Sequence, residues 1–247
     1  YYNPKFKEEN IKNCLKNKNF KLYKNDITDF NKLTSVFQKN KVGRIIHLAA
    51  RAGVRASIEN PLIYERVNIL GTLNMLMLAK QFNIENFIFG SSSSVYGNTK
   101  VPFSEDSDTA RPISPYAATK KSAELLCYTY SHLYNLPVTC LRLFTVYGPR
   151  GRPDMAPYKF TGLISKGREV PVYGDGTSRR DYTYVSDIVK GILLALSKKS
   201  EFEIINLGNS KPIELNLLIS LIEENLGKKA KIKKSQSQPG EVNITYS

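Results

Sequence analysis

The sequence predicts an α/β fold, a doubly wound parallel sheet with a smaller C-terminal lobe, on three observations. From about Val42, short apolar runs alternate with longer helical patterns, the signature of parallel strands joined by crossover helices. The runs are apolar enough to be strands buried on both faces. The chain has 247 residues, 41% of them apolar, so it can bury a sizeable core.

In order, Arg44 to Ala50 (RIIHLAA) reads as the first clear strand and Asn86 to Ser92 (NFIFGSS) as the next, with Pro61 to Phe82 long enough to be the helix between them. Ser114 supplies an N-cap and Pro115 a first helical residue for a helix carrying Tyr116 to about Tyr134. A strand follows at Val138 to Phe144. Beyond it the pattern loosens into a Gly/Pro/Arg-rich loop, Tyr147 to Pro157, then a helix near Tyr158 to Lys166 and a short strand, Val170 to Tyr173. Gly174 to Asp181 reads as a polar turn, and Ser186 and Asp187 as caps of a helix running to about Lys198. Glu203 to Leu207 and Glu214 to Leu226 give a further strand and helix.

Composition narrows the function. No run approaches the roughly 18 apolar residues of a membrane helix, and Tyr1 to Lys21 holds no signal-peptide core, so a cytoplasmic protein with no membrane partner is expected. Cys14, Cys127 and Cys140 lack metal-ligand spacing and read as buried reduced thiols, with no metal site. The formal charge of +14 invites a nucleic-acid partner, because lysine and arginine displace counterions from phosphate. Its distribution argues against one: the lysines are spread along the chain, and no aromatic-interleaved platform accompanies them. The excess reads as solvated surface with some attraction for anionic substrates.

Tyr116 and Lys120 (YAATK) lie four residues apart at a helix start and share a face. An ammonium beside a phenol favours the phenolate, which makes a group of pKa about 10 usable as a base. That spacing is common by chance and is weak evidence alone. Ser91 to Ser94, however, end the preceding strand, and open parallel sheets bind ligands at the carboxyl ends of their strands. A serine hydroxyl there can orient a substrate hydroxyl towards the phenol. His47 reads as a strand-end packing or hydrogen-bonding group, neither metal ligand nor base.

Taken together, DITD at Asp26 to Asp29, HLAARAGVRAS at His47 to Ser57, NILGT at Asn68 to Thr72, SSSSVYG, SPYAATK, LRLFTVYGPRGRPDM and VYGDGTSRRDYTYVSD resemble the extended short-chain dehydrogenase/reductases, the NAD-dependent epimerases and dehydratases of nucleotide sugars. The similarity covers nearly every residue and looks closest to the UDP-glucuronate 4-epimerases. It implies a Rossmann-type sheet with bound NAD. Domains are then expected at 1–146, which bind NAD, and 147–247, which mainly bind the nucleotide sugar, with helix 186–198 and strand 203–207 returning to the first. By the same resemblance Tyr116 is the base, Lys120 binds the nicotinamide ribose and tunes Tyr116, and Ser92 positions the reacting hydroxyl. Asp26 and Ile27 border the adenine, Ala49, Ala50 and Arg51 pass the cofactor diphosphate, Asn68 sits towards the nicotinamide, and Phe144 offers a backbone contact. Ser93 and Ser94 help hold the sugar, Val172 and Tyr173 the uracil, and Arg180 the UDP diphosphate. Thr145 and Arg152 would hold a sugar carboxylate, for which the arginine fork is a natural bidentate partner.

The reaction so implied inverts carbon four of UDP-glucuronate through a 4-keto intermediate, with UDP-glucose or UDP-N-acetylglucosamine 4-epimerisation as the alternative. A dehydratase needs a further acid and base, where this chain has Ser93 and Ser94, and serines make poor general acids. The resemblance also implies a homodimer through helices 61–82 and 115–134. Two departures stand out. The Gly-x-x-Gly-x-x-Gly turn and acidic residue that open the family's fold have no counterpart, so the first βαβ unit, usually about 30 residues, is expected to be missing. Tyr1 to Lys7 already resembles the segment beyond it, and Pro239 to Ser247 enters a segment that in the family continues into a last helix. A non-catalytic remnant is therefore a second reading, which the joint retention of Tyr116, Lys120, Ser92 and Arg152 disfavours.

Overall fold

A computed structural model describes residues 2–236 and 242–247. Tyr1 and Pro239 to Glu241, parts of two segments singled out above, lie outside the described residues. Helix α1 (Pro4–Ile11) opens on Pro4, with Asn3 accepting from the Lys5 amide at 3.1 Å. Helix α2 (Phe30–Lys39) is capped by Asp29 and buries Leu33 and Phe37, four residues apart on one face. Neither was predicted: α1 is polar and buries no side chain, whereas the Leu33 and Phe37 spacing of α2 was a signal left unread. Cys14, expected to be buried, is exposed, because the segment just beyond α1 packs no side chain into the core, while Cys127 and Cys140 are buried.

Strand β1 (Arg44–His47) stops three residues earlier than the apolar run suggested, leaving Leu48 to Ala50 outside regular structure. Helix α3 (Val54–Glu59) follows. The predicted helix over 61–82 is continuous but not uniform: α4 (Pro61–Tyr64) passes through a π-helical turn, Glu65–Leu70, into α5 (Gly71–Gln81). Such widened turns are rare and concentrate at functional sites; this one carries buried Asn68. Strand β2 (Asn86–Ser92) is buried along its length and ends in a 3-10 turn, Ser93–Tyr96.

Helix α6 (Pro115–Tyr134) starts as predicted, Ser114 Oγ accepting from the Ala117 amide at 3.1 Å, and stops at Asn135, whose left-handed φ of 53° asparagine tolerates. Strand β3 (Val138–Leu143) ends one residue before Phe144, and β4 (Thr145–Tyr147) then pairs elsewhere. Helix α7 (Ala156–Ser165) and β5 (Glu169–Tyr173) follow. The predicted polar turn is shorter than expected, since Arg179 to Asp181 already belong to β6 (Arg179–Tyr184). β6 runs straight into α8 (Val185–Ser197), so Tyr184 occupies the N-cap; Ser186 and Asp187 sit in the first turn instead of capping it. The remaining elements are β7 (Phe202–Leu207), β8 (Pro212–Glu214), α9 (Leu215–Leu226), β9 (Lys231–Ser235) and β10 (Ile244–Thr245).

The principal sheet has the order β1-β2-β3-β7, all parallel. On one face Phe87 and Phe89 pack with Leu76, Leu78, Ala123 and Cys127; on the other Ile88 and Leu141 pack with Ile188 and Ile192. Each buried phenylalanine contributes about 3 kcal/mol at most. With helices on both faces, the sheet is doubly wound. β6 pairs with β4 and β10 in parallel and with β8 antiparallel, while β5 pairs with β9. Val170 and Val172 of β5 face inward onto Phe160, Ile164 and Ile219, forming the core of the smaller lobe. Among the described residues no helix is long and apolar enough to cross a membrane.

Candidate active site

Helix α6 lies on β2 so that its residues four apart meet the end of the strand. The Tyr116 hydroxyl faces Ser92 closely enough for that side chain to favour the phenolate, and Lys120 Nζ donates to the Gly90 carbonyl at 2.6 Å. Burial pushes the Tyr116 phenol up; the Ser92 hydrogen bond and the Arg152 charge pull it partly back. Burial lowers Lys120 itself to about 8, against smaller opposing effects of Cys127, Cys140 and Glu124. Tyr64 packs edge-on against Tyr116, ring centroids 6.2 Å apart, and donates to the Ala52 carbonyl.

The residues expected to meet a cofactor gather beyond β1. Asn68 Oδ1 accepts from the Arg51 amide at 2.7 Å, and its Nδ2 donates to the Arg51 carbonyl and to Thr119 Oγ1, both at 3.0 Å. Asn68 therefore fixes the path of Ala49, Ala50 and Arg51 and ties it to α6. Ile27 presses on α5 so closely that a Cβ on Gly71 would lie 2.5 Å from its Cδ1. Asp26 sits at the exposed start of this turn, accepting from the Thr28 amide and hydroxyl, which hold its carboxyl below the usual value. Phe144 is buried and its amide already donates to the Leu207 carbonyl, so any backbone contact it offers must come from its own carbonyl. His47 is buried, with Nε2 3.1 Å from Thr72 Oγ1, and burial, aided by the Lys120 charge, lowers its pKa to about 3. It is neutral at physiological pH.

A cleft of about 700 Å³ opens between the principal sheet and the smaller lobe. Ser93, Ser94, Thr145, Arg152, Tyr173 and Arg180 all line it. Val172 does not: strand alternation turns its side chain into the lobe core, and its neighbours Pro171 and Tyr173 face the cleft. The Arg152 fork is held side-on by Asp154, Nε to Oδ1 at 3.0 Å and Nη2 to Oδ2 at 2.7 Å. Arg180 Nη1 donates to the carbonyls of Arg179 and Asn243.

Sequence reasoning missed several residues of this region. Arg55 crosses the cleft to place its guanidinium 4.3 Å from the Tyr173 ring centroid, joining the two walls. Lys159 and Asp154 also line the cleft. Beneath Ser92 lies a buried pair, Glu124 and Arg142, each side chain 1% exposed. Two signals were available: Glu124 continues the face of Tyr116 and Lys120 at the next four-residue step, and Arg142 interrupts an otherwise apolar buried strand.

Residues 3–208 match the NAD dependent epimerase/dehydratase family. Over 246 residues the chain is 46% identical to UDP-glucuronate 4-epimerase of Thermodesulfobacterium geofontis, covering 99% of this chain and 76% of that one. The fold superposes on UDP-glucuronic acid 4-epimerase from Bacillus cereus, solved with UDP-glucuronic acid and NAD, with a TM-score of 0.92 and 36% identity over 98% of this chain and 77% of that one. UDP-glucose 4-epimerase from Thermus thermophilus, solved with NAD, gives 0.88 and 29% over 93% and 76%.

Proposed function

The chain belongs to the NAD dependent epimerase/dehydratase family, and on that premise we propose that it inverts carbon four of UDP-glucuronate to give UDP-galacturonate. At the coarser level it is an NAD-dependent nucleotide-sugar 4-epimerase. The residues present suit the cofactor. An ammonium has three donors, of which the Gly90 carbonyl takes one, and Lys120 stands beside Tyr116 where a ribose diol would use the others. Asn68 and the Ala49 to Arg51 segment would pass the diphosphate, with Asp26 and Ile27 towards the adenine. Bound NAD supplies reversible uptake and return of a hydride at carbon four.

The remaining work falls to side chains. Tyr116 takes the proton of the sugar 4-hydroxyl, and Ser92, which faces the phenol, positions that hydroxyl. Ser93 and Ser94 hold the ring, Tyr173 stacks on the uracil, and Arg180 pairs with the diphosphate. After the 4-keto sugar turns its other face to the site, Tyr116 returns the proton. Exposed Leu125, Tyr128 and Leu133 on α6, with Met77 on α5, suit the helical face through which a homodimer would form.

Arg152 carries the choice of substrate. Its charge is near enough to Tyr116 to offset a little of the burial that raises the phenol's pKa, and it lines the same cleft as Ser93 and Ser94, so a carboxylate bound there would sit near the reacting carbon. Purified enzyme with NAD should convert UDP-glucuronate to UDP-galacturonate, followed by proton NMR, and Tyr116→Phe should abolish the conversion. Inversion of UDP-glucose alone would retain the epimerase and remove the uronate assignment.

A further inference from the structure

The Ser92 to Ser94 segment is fastened at both flanks to one buried ion pair. Arg142 and Glu124 meet through two parallel bonds, Nε to Oε1 and Nη2 to Oε2, each 2.9 Å. On the strand side, Ser91 Oγ donates to the same Glu124 Oε1 at 2.6 Å. Beyond the serines, the Tyr96 hydroxyl accepts from Arg142 Nη1 at 3.0 Å and donates to Asn206 Oδ1 at 2.7 Å. Ser91, Arg142 and Asn206 occupy one rung across β2, β3 and β7. Glu124 lies on α6 two turns after Tyr116, so the pair ties the helix bearing the phenol to the strand bearing Ser92.

We infer that Glu124 and Arg142 are positioning residues, which set the Ser92 hydroxyl against Tyr116 by clamping the catalytic segment through Ser91 on one side and Tyr96 on the other. A pair buried only for stability would need neither hydroxyl. Such pairs are poor stabilisers relative to apolar packing, and in some proteins they are retained for the geometry they enforce. Displacement of reacting groups by about 1 Å costs up to ~100-fold in rate, so a loosened clamp should appear in turnover before it appears in binding. The same loosening weakens the Ser92 interaction that offsets part of the rise burial imposes on the Tyr116 pKa.

The proposal rests on the roles given above to Ser92 and Tyr116, and the test separates the two. Ser91→Ala and Tyr96→Phe each delete one hydroxyl and leave the ion pair in place. Assayed as the full enzyme with NAD and UDP-glucuronate, or with UDP-glucose if that is what the wild type inverts, each should lower kcat about tenfold with KM little changed. The acid limb of the kcat profile should move to higher pH. Wild-type kcat and an unmoved acid limb in both variants, whatever their melting temperatures, would overturn the clamp. Should Tyr96→Phe fail to fold, Ser91→Ala decides alone. Ser92→Ala and Tyr116→Phe run beside them: if those retain full turnover, the site assignment itself has failed, whereas their loss with intact Ser91→Ala turnover removes only the clamp.

Discussion

Replacing Glu124 by Gln perturbs the most deeply buried charge pair described in the molecule. Glutamine keeps the size of the side chain and one acceptor oxygen, but its amide nitrogen then presents hydrogens to an Arg142 N–H, donor against donor. Arg142 keeps its charge at 1% exposure without the carboxylate that neutralised it. Breaking a buried pair from one side costs about 3–5 kcal/mol, which for a chain of this length lowers the unfolding midpoint by roughly 6–20 °C. Lys198→Ala is the matched control, because its pair with Glu203 is exposed and worth about 1 kcal/mol or less. The pH dependence has a definite sign. Burial raises the Glu124 pKa, but the Arg142 bond and charge, with the Ser91 bond, bring it below its ordinary value of 4.5. The pair's contribution is therefore fully present above that value and is lost as pH falls through the depressed folded one. Urea unfolding of wild type and variant, from pH 7 downwards, should show a large gap that narrows in acid. A variant within 1 kcal/mol of wild type at pH 7, or a gap that persists undiminished in acid, would refute the reasoning.

Three further outcomes are expected. Lys120 titrates at about 8 in the folded chain and about 10.5 unfolded, so its buried charge weakens the fold below pH 8 and ceases to do so above 10.5; the unfolding free energy of wild type relative to Lys120→Met should rise by on the order of 3 kcal/mol across that window, and a constant difference would contradict the shift. Asn68→Ala should cost about 1–3 kcal/mol, since it strands the Arg51 amide and carbonyl, and should weaken NAD binding in calorimetry; unchanged affinity would show that the Ala49 to Arg51 path is held by other contacts. Val172→Ala should destabilise by about 2 kcal/mol with little change in KM, whereas Tyr173→Ala should raise KM for the nucleotide sugar, and the reverse pattern would mean that the strand faces the other way.

The parallel character of the sheet and the placing of α6 were readable from the sequence because both rest on local signals: apolar runs of strand length, and Ser114 with Pro115 at a helix start. The same locality made Tyr116, Lys120 and Ser92 visible together. What escaped were features that local pattern cannot encode. The π-helical turn that aims Asn68 inward leaves the helical periodicity nearly intact. The bidentate hold of Asp154 on Arg152, the stacking of Arg55 on Tyr173 and the joining of Glu124 to Arg142 each depend on where a side chain reaches once the chain has folded. Val172 shows the opposite error. A motif gave it to the nucleotide because its neighbour is there, and only the register of β5 decides which of two successive residues faces the cleft.

The uronate assignment is tested most directly by competition in a single tube. Equimolar UDP-glucuronate and UDP-glucose, incubated with the enzyme and NAD, report the ratio of the two kcat/KM values from their initial rates of inversion by proton NMR. A strong preference for UDP-glucuronate is expected, falling about 30-fold in Arg152→Ala, which corresponds to about 2 kcal/mol for one partly exposed charge-assisted contact. Equal rates for the two sugars, or a preference that survives Arg152→Ala intact, would contradict the role assigned to Arg152 and with it the choice of substrate.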